Sequence, residues 1–182
     1  MTTYISILRG INVSGQKLIK MDALRNSYEK LGLSSIMTYV QSGNVIFKSK
    51  DDELNKLEQK ISRQIEKYFG FNVPVIVLSI ENLKQIIDNN PFLKDPKKEQ
   101  TFLYITFLSA KPDKYDFKTI EEKKQNGEEI IFADNAVYLY CPNGYGKSKL
   151  SNSFLETKLK VEATTRNWKT TNELLKIAQQ TT

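Results

Sequence analysis

Ile36-Met37-Thr38-Tyr39-Val40-Gln41-Ser42-Gly43-Asn44-Val45-Ile46-Phe47 decides the fold. Two apolar runs, residues 36–40 and 45–47, flank a polar break, and Gly43-Asn44 within it suits a tight turn. The stretch reads as a hairpin of two antiparallel strands. Upstream, residues 4–8 alternate like a strand and end at Arg9-Gly10, where a loop runs through Gly15 and Lys17 to about residue 20. Leu24, Tyr28 and Leu31 then mark one face of a helix that stops at Gly32. Downstream, Leu54, Leu57, Ile61 and Ile65 repeat at helical spacing as far as Gly70, and residues 73–78 are almost wholly apolar, as a buried strand requires. The order is β-α-β-β-α-β, the ferredoxin-like pattern.

The order then begins again. A helix over residues 80–89 stops at Asn90-Pro91, and the charged stretch 94–100 reads as an exposed connection. Residues 102–108 form a strand and 114–125 a weaker helix. Residues 130–132 and 137–140 form a hairpin around Asp134-Asn135, and a helix over 149–159 carries Leu150, Phe154, Leu155 and Leu159. Thr170 with Glu173 has the spacing of a capping box for a last helix through about residue 179. The expected fold class is α+β: two ferredoxin-like β-α-β-β-α units with antiparallel sheets, plus a C-terminal helix. The expected lobes are 1–79 and 80–182, with the C-terminal helix packing back on the first.

Composition restricts the chemistry. The chain has 182 residues, 40% of them apolar and 26% charged, with nine Tyr and nine Phe. That supports a real core and argues against disorder. No apolar run approaches the roughly 20 residues of a membrane helix, and Met1-Thr2-Thr3-Tyr4 lacks the start of a secretion signal. The single Cys141 excludes an internal disulfide and fits a reducing cytoplasm. The chain has no histidine, which removes Ser-His-Asp and Cys-His catalysis and the usual zinc sites. A divalent ion held by carboxylates or by a bound phosphate stays open, although no carboxylates stand at ligand spacing; the expectation is no metal site and no cofactor.

Charge is unevenly spread. Residues 1–50 carry seven Lys and Arg against Asp22 and Glu29, and residues 144–182 carry seven against Glu156, Glu162 and Glu173. The stretch between them holds 13 against 16, while the whole chain is +6. The positive excess lies in the two terminal segments, which points to an anionic partner. The alternative is that scattered lysines are solvated surface.

Four polar motifs lie in those segments. Arg9-Gly10-Ile11-Asn12-Val13 places a guanidinium at a strand end and a carboxamide in the loop after it. Arg offers a planar fork for phosphate or carboxylate, unless it pairs locally and Asn12 only makes a turn. In Gln41-Ser42-Gly43-Asn44-Val45 the turn accounts for Gly43 and Asn44, while Gln41 and Ser42 add hydrogen-bonding groups beyond a turn's needs. Asn143-Gly144-Tyr145-Gly146-Lys147-Ser148-Lys149 resembles a phosphate-binding P-loop, but Cys141 stands where that pattern wants Gly. A simpler anion site would use backbone amides and Lys147 at a helix start, and the bland reading has Ser148 capping that helix. Thr164-Thr165-Arg166-Asn167-Trp168 lies between two helices in this reading. Trp168 could stack on a base or sugar, or fill the core while Arg166 caps the preceding helix. Cys141, with no histidine to activate it, reads as a small buried side chain.

Together LRGINVSG, TYVQSGNVIF, YGKSKL and TTRNW resemble domain-of-unknown-function family 1697, a group of bacterial proteins, across residues 8–168. That family usually has Gly-Gly where this chain has Ser14-Gly15. The resemblance implies a two-lobed α+β fold of ferredoxin-like units and carries no activity with it. Arg9, Asn12, Gln41, Asn44, Lys147, Lys149, Arg166, Asn167 and Trp168 match the family's signature positions.

The resulting expectation is a cytoplasmic protein that binds a phosphate-bearing ligand, a nucleotide or a nucleic acid, with no membrane association. The candidate ligand-binding residues are Arg9, Asn12, Lys20, Gln41, Ser42, Asn44, Lys147, Lys149, Arg166, Asn167 and Trp168, drawn from both ends of the chain into one composite site. Two alternatives stand beside it. One is a histidine-free enzyme on a small phosphorylated or nucleotide substrate, with Lys147 or Lys20 stabilising charge and Asp22 as base. The other is a protein–protein adaptor whose motifs are only structural turns.

Overall fold

The structure is a computed structural model and describes residues 1–181. The chain forms two compact units, Met1–Gln85 together with the C-terminal segment from Glu173, and Ile86–Asn172.

The first unit runs β1 (Thr2–Leu8), α1 (Met21–Glu29), β2 (Ser34–Tyr39), β3 (Asn44–Ser49), α2 (Leu54–Phe69) and β4 (Val75–Ser79), followed by α3 (Ile80–Asp88). Its sheet is antiparallel throughout, in the order β2-β3-β1-β4. Strand alternation sends Tyr4, Leu8, Val45, Phe47, Val75 and Val77 to the face covered by the helices, where they meet Leu24, Tyr28, Leu57, Ile61 and Ile65. The alternate residues Ile5, Ile7, Ile46, Ile76 and Leu78 are buried as well. Leu57, Ile61 and Ile65 place one stripe of α2 in this core. Gly70 ends the helix in the left-handed region and donates its N–H to Glu66 O at 2.8 Å. Inside the core the Tyr28 hydroxyl and Ser6 Oγ share a hydrogen bond of 2.8 Å. Burial raises the Tyr28 phenol above its ordinary pKa.

The second unit repeats the order with β5 (Leu103–Leu108), α4 (Phe117–Glu121), β6 (Glu129–Phe132), β7 (Ala136–Tyr140), α5 (Asn152–Leu159) and β8 (Ala163–Asn167). Its sheet is β6-β7-β5-β8, again antiparallel. Leu108, Val137 and Leu139 face Ile120, Leu150, Leu155 and Leu159 in a core of its own. Helix α6 (Trp168–Gln180) closes the chain.

Four expectations are corrected here. Residues 164–167, read as a connection between helices, are the outer strand β8, so the repeat is complete as β-α-β-β-α-β. Threonine is at home on a pleated surface, but a strand reading Ala-Thr-Thr-Arg-Asn carries no apolar alternation. Its hold is the Thr106–Thr165 hydroxyl pair at 2.7 Å across the ladder. Helix α4 is far shorter than 114–125: it starts at Phe117, where Asp116 caps it by accepting from Thr119 N, and ends at Glu121. Helix α5 begins at Asn152 rather than 149, and its cap is Ser151, not Ser148. Helix α6 is capped by Asn167, whose Oδ1 accepts from Thr170 N at 2.7 Å, so Thr170 lies inside the first turn rather than before it.

Candidate functional site

Asn12 joins the first two motifs. Its Nδ2 donates to Gln41 O at 2.8 Å and to Ile19 O at 3.0 Å, while its Oδ1 accepts from Ile19 N at 2.8 Å. Both amide hydrogens and the carbonyl are thus engaged with main chain. Asn44 is fully buried, and its Nδ2 donates to Tyr39 O and Ser42 Oγ. Gly43 has φ +80°, and a Cβ there would lie 2.7 Å from Leu8 Cβ. Only glycine lets the turn approach β1 this closely. Asn12, Gly43 and Asn44 build the loops, whereas Gln41 and Lys20 are exposed and Arg9 is half-buried.

Between Arg9 and Lys20 the chain makes a small finger. Gln16 N donates to Val13 O at 2.9 Å and Asn12 N to Lys17 O at 3.2 Å. Ser14 at φ +51° and Gly15 at φ +74° form the two-residue turn at its tip, with the positive angles of a type I′ hairpin. The finger is fastened at its base. Lys17 Nζ donates to Asn72 O at 2.7 Å, Arg9 N to Pro74 O at 2.9 Å, and Leu8 N to Gly43 O at 2.8 Å. Three connections, residues 9–20, 40–43 and 70–74, are therefore tied together at one end of the sheet. They hold Arg9, Lys17 and Lys20 and no Asp or Glu.

Backbone strain gathers at this end. Among the described residues six non-glycines have clearly positive φ, and Asn12, Ser14, Lys17 and Val40 are four of them. A β-branched residue such as Val40 pays heavily for that conformation. Large apolar side chains also face water here: Val13 is 57% exposed, Leu18 69% and Val40 50%. Neither the strain nor the exposed aliphatics serves the core.

The second unit shows that the fold does not require this composition. Leu108 N donates to Asn135 O and Ser109 N to Glu162 O, the counterparts of the Leu8 and Arg9 bonds. The matching connections, 109–116, 133–135 and 160–162, carry Lys111, Lys114 and Lys160 against Asp113, Asp116, Asp134 and Glu162. Lys111 pairs with Asp134 at 2.9 Å, which raises the lysine's pKa.

The third and fourth motifs share the other end of the second unit, where Leu103 pairs with Tyr140 and Tyr104 with Asn167. The Gly-Lys-Ser segment is not a P-loop. Tyr145–Lys147 is a single 3-10 turn in which Lys147 N donates to Gly144 O and Ser148 N to Tyr145 O. The Lys147 and Ser148 amides are spent within the turn, the helix begins only at Asn152, and the sheet is antiparallel. Tyr145 anchors the segment by stacking on Tyr104 at 5.2 Å and by donating to Thr165 Oγ1 at 3.1 Å. Lys147 and Lys149 are exposed. Arg166, on β8 rather than at a helix end, is 9% exposed and donates from Nη1 to Thr164 Oγ1 and Thr165 O. Trp168 is buried and Asn167 caps α6. The Cys141 thiol is buried, and burial, with the nearby Glu128 charge adding to it, pushes its pKa up to about 12. It stays protonated and unreactive at neutral pH. Asp22 is exposed and paired with Arg25.

Lys17, Val13, Leu18 and Val40 were not among the candidate ligand-binding residues, although Val13 and Val40 lie within the motifs. The signal available in sequence was the absence of any acidic residue from 9 to 20, together with a Ser-Gly turn.

The fold and these loops define the chain as a duplicated ferredoxin-like α+β protein. More particularly, it belongs to the family described as Protein of unknown function (DUF1697), whose sequence profile matches residues 1–138. That span contains the first two motifs and ends before the last two. Among solved structures the chain is similar to a conserved bacterial protein, SP0830, from Streptococcus pneumoniae. The identity is 24% and the TM-score 0.72, with 97% of this chain and 98% of that one covered. At that identity the likeness establishes the shared fold. No curated protein matches the chain. Among the described residues no helix is long and apolar enough to cross a membrane.

Proposed function

We propose that the protein binds a phosphate-bearing ligand, a nucleic acid or a nucleotide, at the loop end of the first unit. Arg9, Lys17 and Lys20 supply the charge, and Gln41 and Ser42 supply polar groups beside it. The observation that carries this reading is the absence of any carboxylate from three hydrogen-bonded connections that hold three cations. Cations on connections that carry no carboxylate raise the local concentration of a polyanion and bind its phosphates by releasing condensed counterions. The mixed charge on the matching end of the second unit supports function rather than folding as the reason. Asn12 and Asn44 serve here as positioning residues, holding the cation-bearing loops together. The exposed Lys147 and Lys149 add a smaller patch of the same sign in the second unit.

The test is fluorescence anisotropy with labelled oligonucleotides between about 50 and 200 mM salt. Affinity should fall steeply with salt, and Lys20→Ala should weaken binding for every sequence and lower the salt slope by about one. A nucleotide panel in a thermal-shift assay forms the second arm, since a saturating ligand raises the melting temperature by mass action. Absent binding at low salt, or binding indifferent to salt, together with a flat nucleotide panel, would reject the reading.

A further inference from the structure

We infer that the finger of residues 12–17 enters the major groove of duplex DNA, with Val13 on the finger and Leu18 directly after it as apolar contacts and Gln16 as a base reader. This inference rests on the proposal above and names its ligand class more narrowly.

The first observation is the kind of side chain exposed. Val13, Leu18 and Val40 are aliphatic, and the only aromatic ring on the three connections, Phe71, is packed against the core. Single-stranded nucleic acid is held by stacking bases on aromatic faces, and the three connections present no exposed ring. An anionic bilayer would accept the aliphatic groups, but it would also bury the carboxamides of Gln16 and Gln41, both exposed here, without partners. A duplex groove suits both kinds of group. Thymine presents a methyl to an aliphatic side chain, and adenine presents the N6 and N7 pair that a glutamine reads in a bidentate way.

The second observation is shape. A two-stranded β-ribbon fits the major groove, and residues 12–17 are a miniature ribbon closed by two hydrogen bonds. Its base is pinned through Asn12 to Gln41 O and through Lys17 to Asn72 O. A finger already ordered in the free protein loses little entropy on binding. Lys20, exposed three residues beyond it, supplies a cation for phosphates beside the groove.

The experiment compares three labelled ligands with the full-length protein at fixed low salt: a mixed-sequence duplex DNA, its single strand, and the same duplex with every thymine replaced by uracil. The duplex should bind at least about ten-fold tighter than the single strand, and removal of the thymine methyls should cost the wild type several-fold. The double variant Val13→Ser, Leu18→Ser should lose about ten-fold on the thymine duplex. It should become indifferent to uracil and keep the salt slope, because no charge is removed. Both residues are exposed, so the variant should fold; circular dichroism checks this, and Gln16→Ala gives a second test if it does not. Single-strand binding as tight as duplex binding, or an unaltered uracil effect in the variant, overturns the inference while leaving phosphate binding in place. Binding to anionic phospholipid vesicles without duplex binding overturns it as well. No salt-dependent binding to any of these ligands removes both.

Discussion

Glu58 reaches from α2 to accept a hydrogen bond from the backbone N–H of Val77, at 2.9 Å, on the outer strand β4. The second unit repeats the device: Glu156, at the same place in α5, accepts from Ala163 N on the outer strand β8 at 3.1 Å. Each carboxylate occupies a donor on a strand edge that would otherwise be open to pairing with another chain. The remaining two edges are handled differently. Strand β2 is irregular between Ser34 and Met37, with Ser35 at φ +50°, and β6 spans only Glu129–Phe132.

Removing the Glu58 carboxylate should therefore cost stability. Glu58→Ala is expected to lower the unfolding free energy by about 1.5–3 kcal/mol, the range for hydrogen bonds to charged groups. Glu58→Gln keeps an acceptor and should lose less. Urea denaturation of the three proteins measures this, and equal midpoints would show that the bond contributes nothing net.

Gly43→Ala tests the close approach of the hairpin turn to β1. The new Cβ would meet Leu8 Cβ at 2.7 Å and Ile11 Cδ1 at 2.8 Å, at a φ that L-residues avoid. Left-handed strain and overpacking together should cost about 2–5 kcal/mol. Gly10→Ala also sits at positive φ but meets no atom within 4 Å, so it should cost about 1–2 kcal/mol. Thermal melts of the two variants should separate clearly.

Asn12→Asp keeps an acceptor for Ile19 N but replaces the donor that serves Gln41 O and Ile19 O with an oxygen. Two carbonyls then face a carboxylate, and the finger should loosen at a local cost of about 1–3 kcal/mol. Hydrogen exchange is the readout: the amides of Gln16 and Ile19 should exchange faster, while those of β5 and β7 should not change. Uniform exchange across both units would contradict this role for Asn12.

The buried thiol gives stability a pH dependence. Folding raises the Cys141 pKa from its ordinary value of 9.0 to about 12. Between those values the unfolded chain has lost the proton and the folded chain keeps it, so stability should be intact below pH 9 and fall as pH rises toward 12. The slope from this one group is at most about 1.4 kcal/mol per pH unit. The Tyr28 phenol, also raised by burial, adds the same sign above its ordinary value of 10.0. Cys141→Ala should flatten the curve between pH 9 and 10, as measured by urea denaturation. The native thiol should also resist a maleimide at neutral pH until the protein unfolds.

The repeated element order was legible because it rests on local patterns. Leu57, Ile61 and Ile65 announce α2, Gly70 its end, and the polar break at residues 41–44 the hairpin. Strand β8 was not legible, because Thr164, Thr165 and Arg166 take their places through partners on β5 and through a strand edge that exists only in the sheet. The candidate site divides in the same way. Arg9, Asn12, Gln41 and Asn44 stood out as residues, but sequence could not separate the exposed Gln41 from Asn44, which is sealed in a turn. Lys147 has the sequence context of a phosphate cradle, but its amide is bonded to Gly144 O.

By itself, then, the sequence determined the duplicated α+β order, the absence of histidine chemistry and the basic character of the first 50 residues. Hydrophobic period and composition act within a few residues and need no partner. Tertiary structure decided which polar groups are spent on the fold, and that three separate connections without an acidic residue are tied together at one end of the sheet. The reason is physical: the bond from Asn12 to Gln41 spans 29 residues and that from Lys17 to Asn72 spans 55, and no local pattern encodes a hydrogen bond between residues that far apart.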